Sequence, residues 1–428
     1  MDEEPKQQDQ PVTPVTPQPS GAPTPVAPTP PPAPEPPEVL APAPPPPLEG
    51  PQPEPPRKSG RKIYVALGAA LAVVVIALGA FFVIQLNTKQ AAPHIKVGVM
   101  MAFSGGSSSM GYGAMKGVQL AKKQLNADNI DIVQMDSKCD AKTAGEAIKN
   151  LINQKVVAII GEGCSSASVA ALPAANNAKI PMISPSASSP TLSTPDDYFF
   201  RVVPPDNFQG AFMAQTIYDR GIRKVAVFYT NEPYGSGMNT VFREKFEALG
   251  GKVVATASAE PDVIDLSTQM KTLEVAKPEA IFIAPNSVVS ATAAMKLARE
   301  AGIAAPFFGA DIMYDNTIIS NNPTVAEGLT ISSFPTGTKA FKQSLVNEYG
   351  KSEQLYAAPQ AYDIIHILQL AVQKGATTGE QIKNALPGIT LSDSVSGFKH
   401  FDSNGEVSDR SYKYDLFQVK DGAFTLVE

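Results

Sequence analysis

The chain has 428 residues, with 35 Lys and Arg against 41 Asp and Glu and a net charge of −6. That balance, without a basic patch or interleaved aromatics, gives no footing for nucleic-acid binding. Two cysteines and three histidines leave almost no material for a Cys/His metal site and few candidates for histidine catalysis, and no cofactor is expected.

Of 40 prolines, 23 precede residue 57. Residues 1–56 are Pro, Ala, Thr, Gln and Glu with few large apolar side chains. Such a segment cannot offset its ordering entropy by burial, so a disordered, extended tail is expected. It serves either as a spacer or as a proline motif for a partner. Arg57, Lys58, Arg61 and Lys62 then precede an uncharged run over 63–84. As a helix that run is about 33 Å long, enough to cross a bilayer core. Residues 57–87 therefore read as a basic flank and a transmembrane anchor. The positive-inside rule puts the tail in the cytoplasm and everything after Asn87 outside. The rival is a cleaved signal peptide, against which stands a leader of about sixty residues before the apolar core.

From His94 onward apolar β-branched runs alternate with helical periodicity. Strands are expected over 95–101, 130–135, 156–160 and 180–184. Helices are expected over 114–125, 144–152 and 169–178. The segment 198–203 leads into Pro204-Pro205, which cannot continue a central strand and reads as a crossing between two lobes. A second set follows, with helices over 208–219, 238–249, 266–275 and 290–301. Its strands fall over 224–229, 252–257, 280–284 and 307–309. Helices over 339–349 and 358–374 and short strands over 398–401 and 416–419 close the chain. Strands separated by helices of this length give doubly wound parallel sheets, and two sets give two lobes of an α/β protein.

The stretch around Gly161-Glu162-Gly163-Cys164-Ser165-Ser166 is the focus. A strand ends in glycines and small hydroxyls, and a helix follows. Pro185-Ser186-Ala187-Ser188-Ser189-Pro190 repeats the pattern after the next strand. Ligands sit at the carboxyl ends of such strands, and free N–H groups at a helix start attract an anion. The plainer reading is that these serines cap helices and fill turns. Asp311 closes a strand of the second set, and Tyr234 follows another. An acid facing the serine loops across the gap between lobes suits a zwitterion, each end meeting charge-assisted hydrogen bonds. Alone, Asp311 reads equally as a helix cap. Cys139 and Cys164 each follow a strand, so they are either bridged or two free thiols. The phosphate loop, the serine-hydrolase elbow and the zinc-protease motif are all missing from the sequence.

At these residues the chain resembles the leucine/isoleucine/valine-binding family of type I periplasmic binding proteins. The marks are Ile95-Lys96-Val97-Gly98-Val99 with Phe103-Ser104-Gly105, Cys139-Asp140, the 161–166 stretch and Met182-Ile183-Ser184-Pro185. Tyr234-Gly235-Ser236-Gly237 and Phe401-Asp402-Ser403-Asn404-Gly405 add to them. The resemblance implies a Cys139–Cys164 bridge and a multi-strand hinge. It implies that Ser165 and backbone groups near Ser186 and Ser188 hold a ligand carboxylate. Asp311 then takes the ammonium, Tyr234 contacts the ligand from the second lobe, and Met110 with Tyr112 stands where relatives have a covering aromatic. Branched-chain binders carry Glu where this chain has Asp311.

The expectation is a membrane-anchored, extracytoplasmic, monomeric substrate-binding protein that delivers an amino acid to an ABC permease, and no enzyme. Lobe 1 is expected over 94–204 with 335–408, and lobe 2 over 205–334 with 409–428. The alternative is a ligand-sensing receptor ectodomain signalling through a partner. A hydrolase using Ser165 and an envelope scaffold are weaker readings.

Overall fold

The computed structural model describes residues 93–350, 356–408 and 412–427. The proline-rich tail and the apolar run over 63–84 lie outside the described residues. Among the described residues no helix is long and apolar enough to cross a membrane.

Two sheets organise the described chain. The first has five strands, β1 (Ile95–Met101), β2 (Ile130–Asp136), β3 (Ala158–Gly161), β4 (Met182–Ser184) and β5 (Phe199–Arg201), in the order β2-β1-β3-β4-β5. All pair in parallel. Strands β3, β4 and β5 are buried along their whole length. That is why they show no polar–apolar alternation, although β4 ends in Ser184 and β5 in Arg201. Helices α1 (Ser108–Gln124), α2 (Ala141–Asn153) and α3 (Ser165–Ala178) connect them. The strand order reverses at β1, and a crevice opens there beyond the strand ends.

The second sheet has seven strands: β6 (Lys224–Thr230), β7 (Lys252–Ala259), β8 (Ala280–Ala284), β9 (Phe307–Gly309), β10 (Thr330–Ser333), β11 (Asp415–Lys420) and β12 (Ala423–Leu426). Their order is β12-β11-β10-β9-β8-β6-β7, and only the β10–β11 and β11–β12 pairings are antiparallel. The connecting helices are α4 (Asp206–Asp219), α5 (Pro233–Ala248), α6 (Ser267–Val275) and α7 (Val288–Glu300), with the short α8 (Asn316–Asn321) and α9 (Pro323–Ala326) before β10. Then α10 (Lys339–Tyr349), α11 (Ala358–Gln373) and α12 (Gly379–Ala385) return to the first sheet. Helix α11 lies so close to α1 that a Cβ on Gly117 would stand 2.0 Å from the Ala358 carbonyl oxygen.

Two large hydrophobic cores result. One joins residues of 95–202 with Phe341 to Phe401, and the other joins residues of 213–331 with Leu416, Phe417 and Val419. A small third cluster of Val203, Phe334 and Tyr414 lies between them. Each of its members comes from a different crossing of the chain, so three backbone segments link the two cores. The Tyr414 ring stands 5.8 Å from Phe334 and 5.7 Å from Phe212.

The structure corrects several expected elements. The strand over 398–401 is only a single bridge from Phe401 to Val407. Phe398 and Phe401 are instead both buried in the first core as separate anchors. Helix α3 starts at Ser165, four residues before the expected start, because the small polar residues there form its first turn. Strands β10 and β12 and helices α8, α9 and α12 were not expected from periodicity. Thr330–Ser333 is polar yet wholly buried, and sheet hydrogen bonding on both sides overrides its composition.

Candidate functional site

A cavity of about 30 Å³, partly open to solvent, lies between the two cores at the carboxyl ends of β3, β6, β8 and β9. From the first core it is lined by Met110, Gly163, Cys164, Ser165 and Ser186. Ser165 opens α3, whose N-cap residue Cys164 provides no side-chain cap. The first N–H groups of that helix have no intrahelical acceptors and carry the positive end of its dipole. Two hydrogen-bonded loops make this corner rigid. Ser186 Oγ donates to the Gly163 carbonyl at 2.9 Å, and Ser165 Oγ accepts from Ser189 N at 3.1 Å. Cys139 and Cys164 are disulfide-bonded, with Cα atoms 5.4 Å apart and a separation of 25 positions in sequence. Closing a loop of that size contributes on the order of 3 kcal/mol.

From the second core the cavity is lined by Glu232, Tyr234, Asn286, Asp311 and Ile312, and Tyr356 completes the wall. Glu232 is the N-cap of α5 and accepts from Tyr234 N at 2.8 Å and Gly235 N at 2.6 Å. Pro233 at the first helical position wastes no donor there. Asp311 begins a 3₁₀ turn just after β9 and is 1% exposed. Tyr234 Oη donates to Asp311 Oδ1 at 2.8 Å, and Tyr356 Oη donates to Oδ2. Burial raises the Asp311 carboxyl above its usual range, while the two phenols pull it back. Both phenols are held well above their ordinary value by burial and by the Asp311 charge, so they remain neutral donors.

Asp206, the first residue of α4, is fully buried, and neither carboxylate oxygen has a hydrogen-bond partner. Ser188 lies beside it, with its hydroxyl outside hydrogen-bond geometry. Burial, and then the nearby Asp311, push the Asp206 carboxyl well above the usual range. Burial raises both carboxyls, but Asp311 alone is met by two phenol donors that favour its ionised form, which leaves it the better placed to hold a cation.

The structure brings Met110, Ser165, Ser186, Tyr234 and Asp311 together around this one cavity. It places Ser188 one layer behind the cavity wall. Tyr112 is 51% exposed and packs edge-to-face on Phe103. It lies two residues after the wall residue Met110, about 200° around α1, and so it faces away from the cavity. Hydrogen bonds also link the cores across the crevice: Ser189 Oγ donates to the Pro233 carbonyl at 2.9 Å and Ser107 Oγ to the Asn286 carbonyl at 3.0 Å.

The family model for periplasmic binding proteins matches residues 94–423. The chain belongs to this family. A leucine-, isoleucine-, valine-, threonine- and alanine-binding protein of Pseudomonas aeruginosa is 24% identical over 346 residues, covering 77% of this chain and 90% of the relative. The crystal structure of the leucine-binding protein LivK of Thermotoga maritima is 25% identical with a TM-score of 0.71, covering 78% of this chain and 97% of that one. The branched-chain substrate-binding protein LivJ of Streptococcus pneumoniae, solved with isoleucine, is 26% identical with a TM-score of 0.70, covering 77% and 97%. The fold is therefore the type I periplasmic binding protein fold.

Within this family member, four site residues escaped sequence reasoning. Glu232 had a signal, an acid directly before a proline at a helix start. Asp206 had the same kind of signal in reverse order, after Pro204-Pro205. Asn286 and Tyr356 had none, since single polar residues between elements look like turns.

One further acid supports the first wall from beneath. Glu162 is buried, accepts from Ser137 Oγ at 3.0 Å and from Cys164 N at 3.0 Å, and so holds the loop before α3. Burial raises its carboxyl from 4.5 to about 7, against the pull of backbone N–H groups. The folded value lies above the unfolded one, so the folded state holds the extra proton. Stability from this group is fully present below pH 4.5 and is lost as pH rises through about 7. The full difference is about 3 kcal/mol. Glu162→Gln should therefore gain stability relative to the parent between pH 5 and pH 8, by up to about that amount. Urea unfolding at the two pH values checks this, and an equal difference at both would refute it.

Proposed function

We propose that this chain is the extracytoplasmic substrate-binding protein of an ABC-type amino acid importer of the branched-chain class, and that it closes its two lobes on a zwitterionic ligand. The observation that carries the reading is the pairing across one cavity of an uncapped helix start at Ser165 with a buried acid at Asp311. The α-carboxylate meets the α3 N–H groups, and the ammonium meets Asp311. Tyr234 and Tyr356 orient that acid. The lobe bounds are 94–204 with 335–408 and 205–334 with 409–428, and the three crossings form the hinge. Ligand binding shifts the open–closed equilibrium by its differential affinity for the closed form. The relatives' named ligands, leucine, isoleucine and valine among them, support an amino acid. The chain works as a monomer with a membrane permease. The basic cluster before 63–84 supports an uncleaved anchor with the proline tail inside.

A melting-temperature screen of the purified chain against amino acids tests the reading, since a ligand that binds only the native state raises the midpoint. At least one amino acid should raise it, and its deaminated and decarboxylated analogues should not. Equal shifts from a deaminated analogue would sink the zwitterion model. A mature amino terminus near Ala91 would sink the anchor.

A further inference from the structure

With the head group assigned as above, the remaining wall says what kind of side chain the ligand carries. Asn286 decides it. The residue is 9% exposed and lines the cavity, and its amide oxygen has no hydrogen-bond partner. Its position is held on both sides. Its own carbonyl accepts from Ser107 Oγ across the crevice, and the next residue, Ser287, caps α7 by accepting from Ser290 N. Its backbone is thus fixed at the wall, and a buried acceptor there carries an unmet desolvation cost until a donor reaches it.

The other lining groups exclude charged side chains. Among the described residues no lysine or arginine lines the cavity, so an acidic side chain would find no counter-charge. Glu232 is the one remaining acid on the wall, and both of its oxygens already accept hydrogen bonds, from Tyr234 N, Gly235 N and Thr230 Oγ1. A basic side chain would have to compete for a carboxylate that already caps α5. We propose that the ligand is a neutral amino acid whose side chain donates a hydrogen bond, a hydroxyl or a primary amide, to Asn286. This rests on the head-group reading and narrows it. A purely aliphatic side chain would leave the Asn286 oxygen unpaired, and sites built around such a group discriminate against ligands that cannot reach it.

The test is calorimetric titration of the full chain with threonine and its near-isostere valine, and with asparagine and leucine. Threonine or asparagine should bind at least about tenfold more tightly than its apolar counterpart. In Asn286→Leu, which replaces the amide by an apolar group of similar size, that preference should vanish or invert while an amino acid still binds. Circular dichroism melting establishes that the variant is folded, and the ratio measured on the parent decides the matter even where it is not. Valine and leucine binding the parent as tightly as threonine and asparagine would overturn the assignment of Asn286 and leave the head-group reading standing. Binding of no amino acid at all would overturn both.

Discussion

Glu406→Ala should lower the unfolding free energy by about 3–5 kcal/mol, the usual cost of leaving a buried charge without its partner. The partner is Arg201, whose side chain is fully buried. Its Nε donates to Glu406 Oε2 and its Nη2 to Oε1, each at 2.6 Å, so the pair is bidentate. The remaining donors reach the Ser193 hydroxyl at 2.5 Å, the Ser189 carbonyl at 3.0 Å and the Ala187 carbonyl at 3.4 Å. Arg201 thus ties strand β5 to the loop that carries Ser186. Loss of Glu406 strands the guanidinium and loosens that loop, so ligand affinity should fall together with stability. The double variant Arg201→Met, Glu406→Leu should recover part of the loss, because neither charge then remains buried. Urea titrations of the two singles and the double give the coupling. A cost below about 1 kcal/mol for Glu406→Ala would show that the pair is solvated in solution and behaves as a surface ion pair.

The legible and the hidden parts of this molecule differ for physical reasons. Strands β1, β3, β6 and β8 were readable because parallel strands covered on both faces need apolar runs of strand length. The crossing at Pro204-Pro205 was readable because proline cannot stand in a central strand. The place of Asp311 and Ser165 at one cavity was legible because both follow a strand of a parallel sheet. Strand β10 was hidden because Thr330, Ser332 and Ser333 are small and polar, and their burial follows from neighbours far away in sequence. Tyr356 was hidden because its partner Asp311 lies 45 residues earlier in the chain. The Arg201 ion pair was hidden because its carboxylate lies 205 residues further on. Tyr112 was misplaced because proximity in sequence to Met110 is not proximity on a helix face.

Asp311→Ala should weaken amino acid binding by about 2–5 kcal/mol, since the ligand ammonium would then be buried without a counter-ion. Ser165→Ala should cost less, about 1–3 kcal/mol, because the α3 backbone donors still hold the carboxylate. Asp311→Asn separates charge from shape. It keeps the volume and one acceptor for the tyrosines, but it loses the ion pair, so its affinity should resemble that of the Ala variant. Stability of the unliganded protein should move the other way. Burial raises the Asp311 carboxyl, so the ionised form opposes folding at neutral pH, and Asn removes that charge. The folded value lies above the unfolded one. This contribution to stability is present at low pH and is lost as pH rises through the raised value. Ligand binding needs the ionised acid, so affinity should fall as pH drops through the same value. A group that opposes folding yet is required for the ligand is placed for function and not for packing. Calorimetry with the preferred amino acid, run beside ligand-free melting at pH 5 and pH 7.5, reads both effects. Unchanged affinity in Asp311→Asn would show that no ammonium sits there, and the cavity would then belong to a neutral amide or a simple acid.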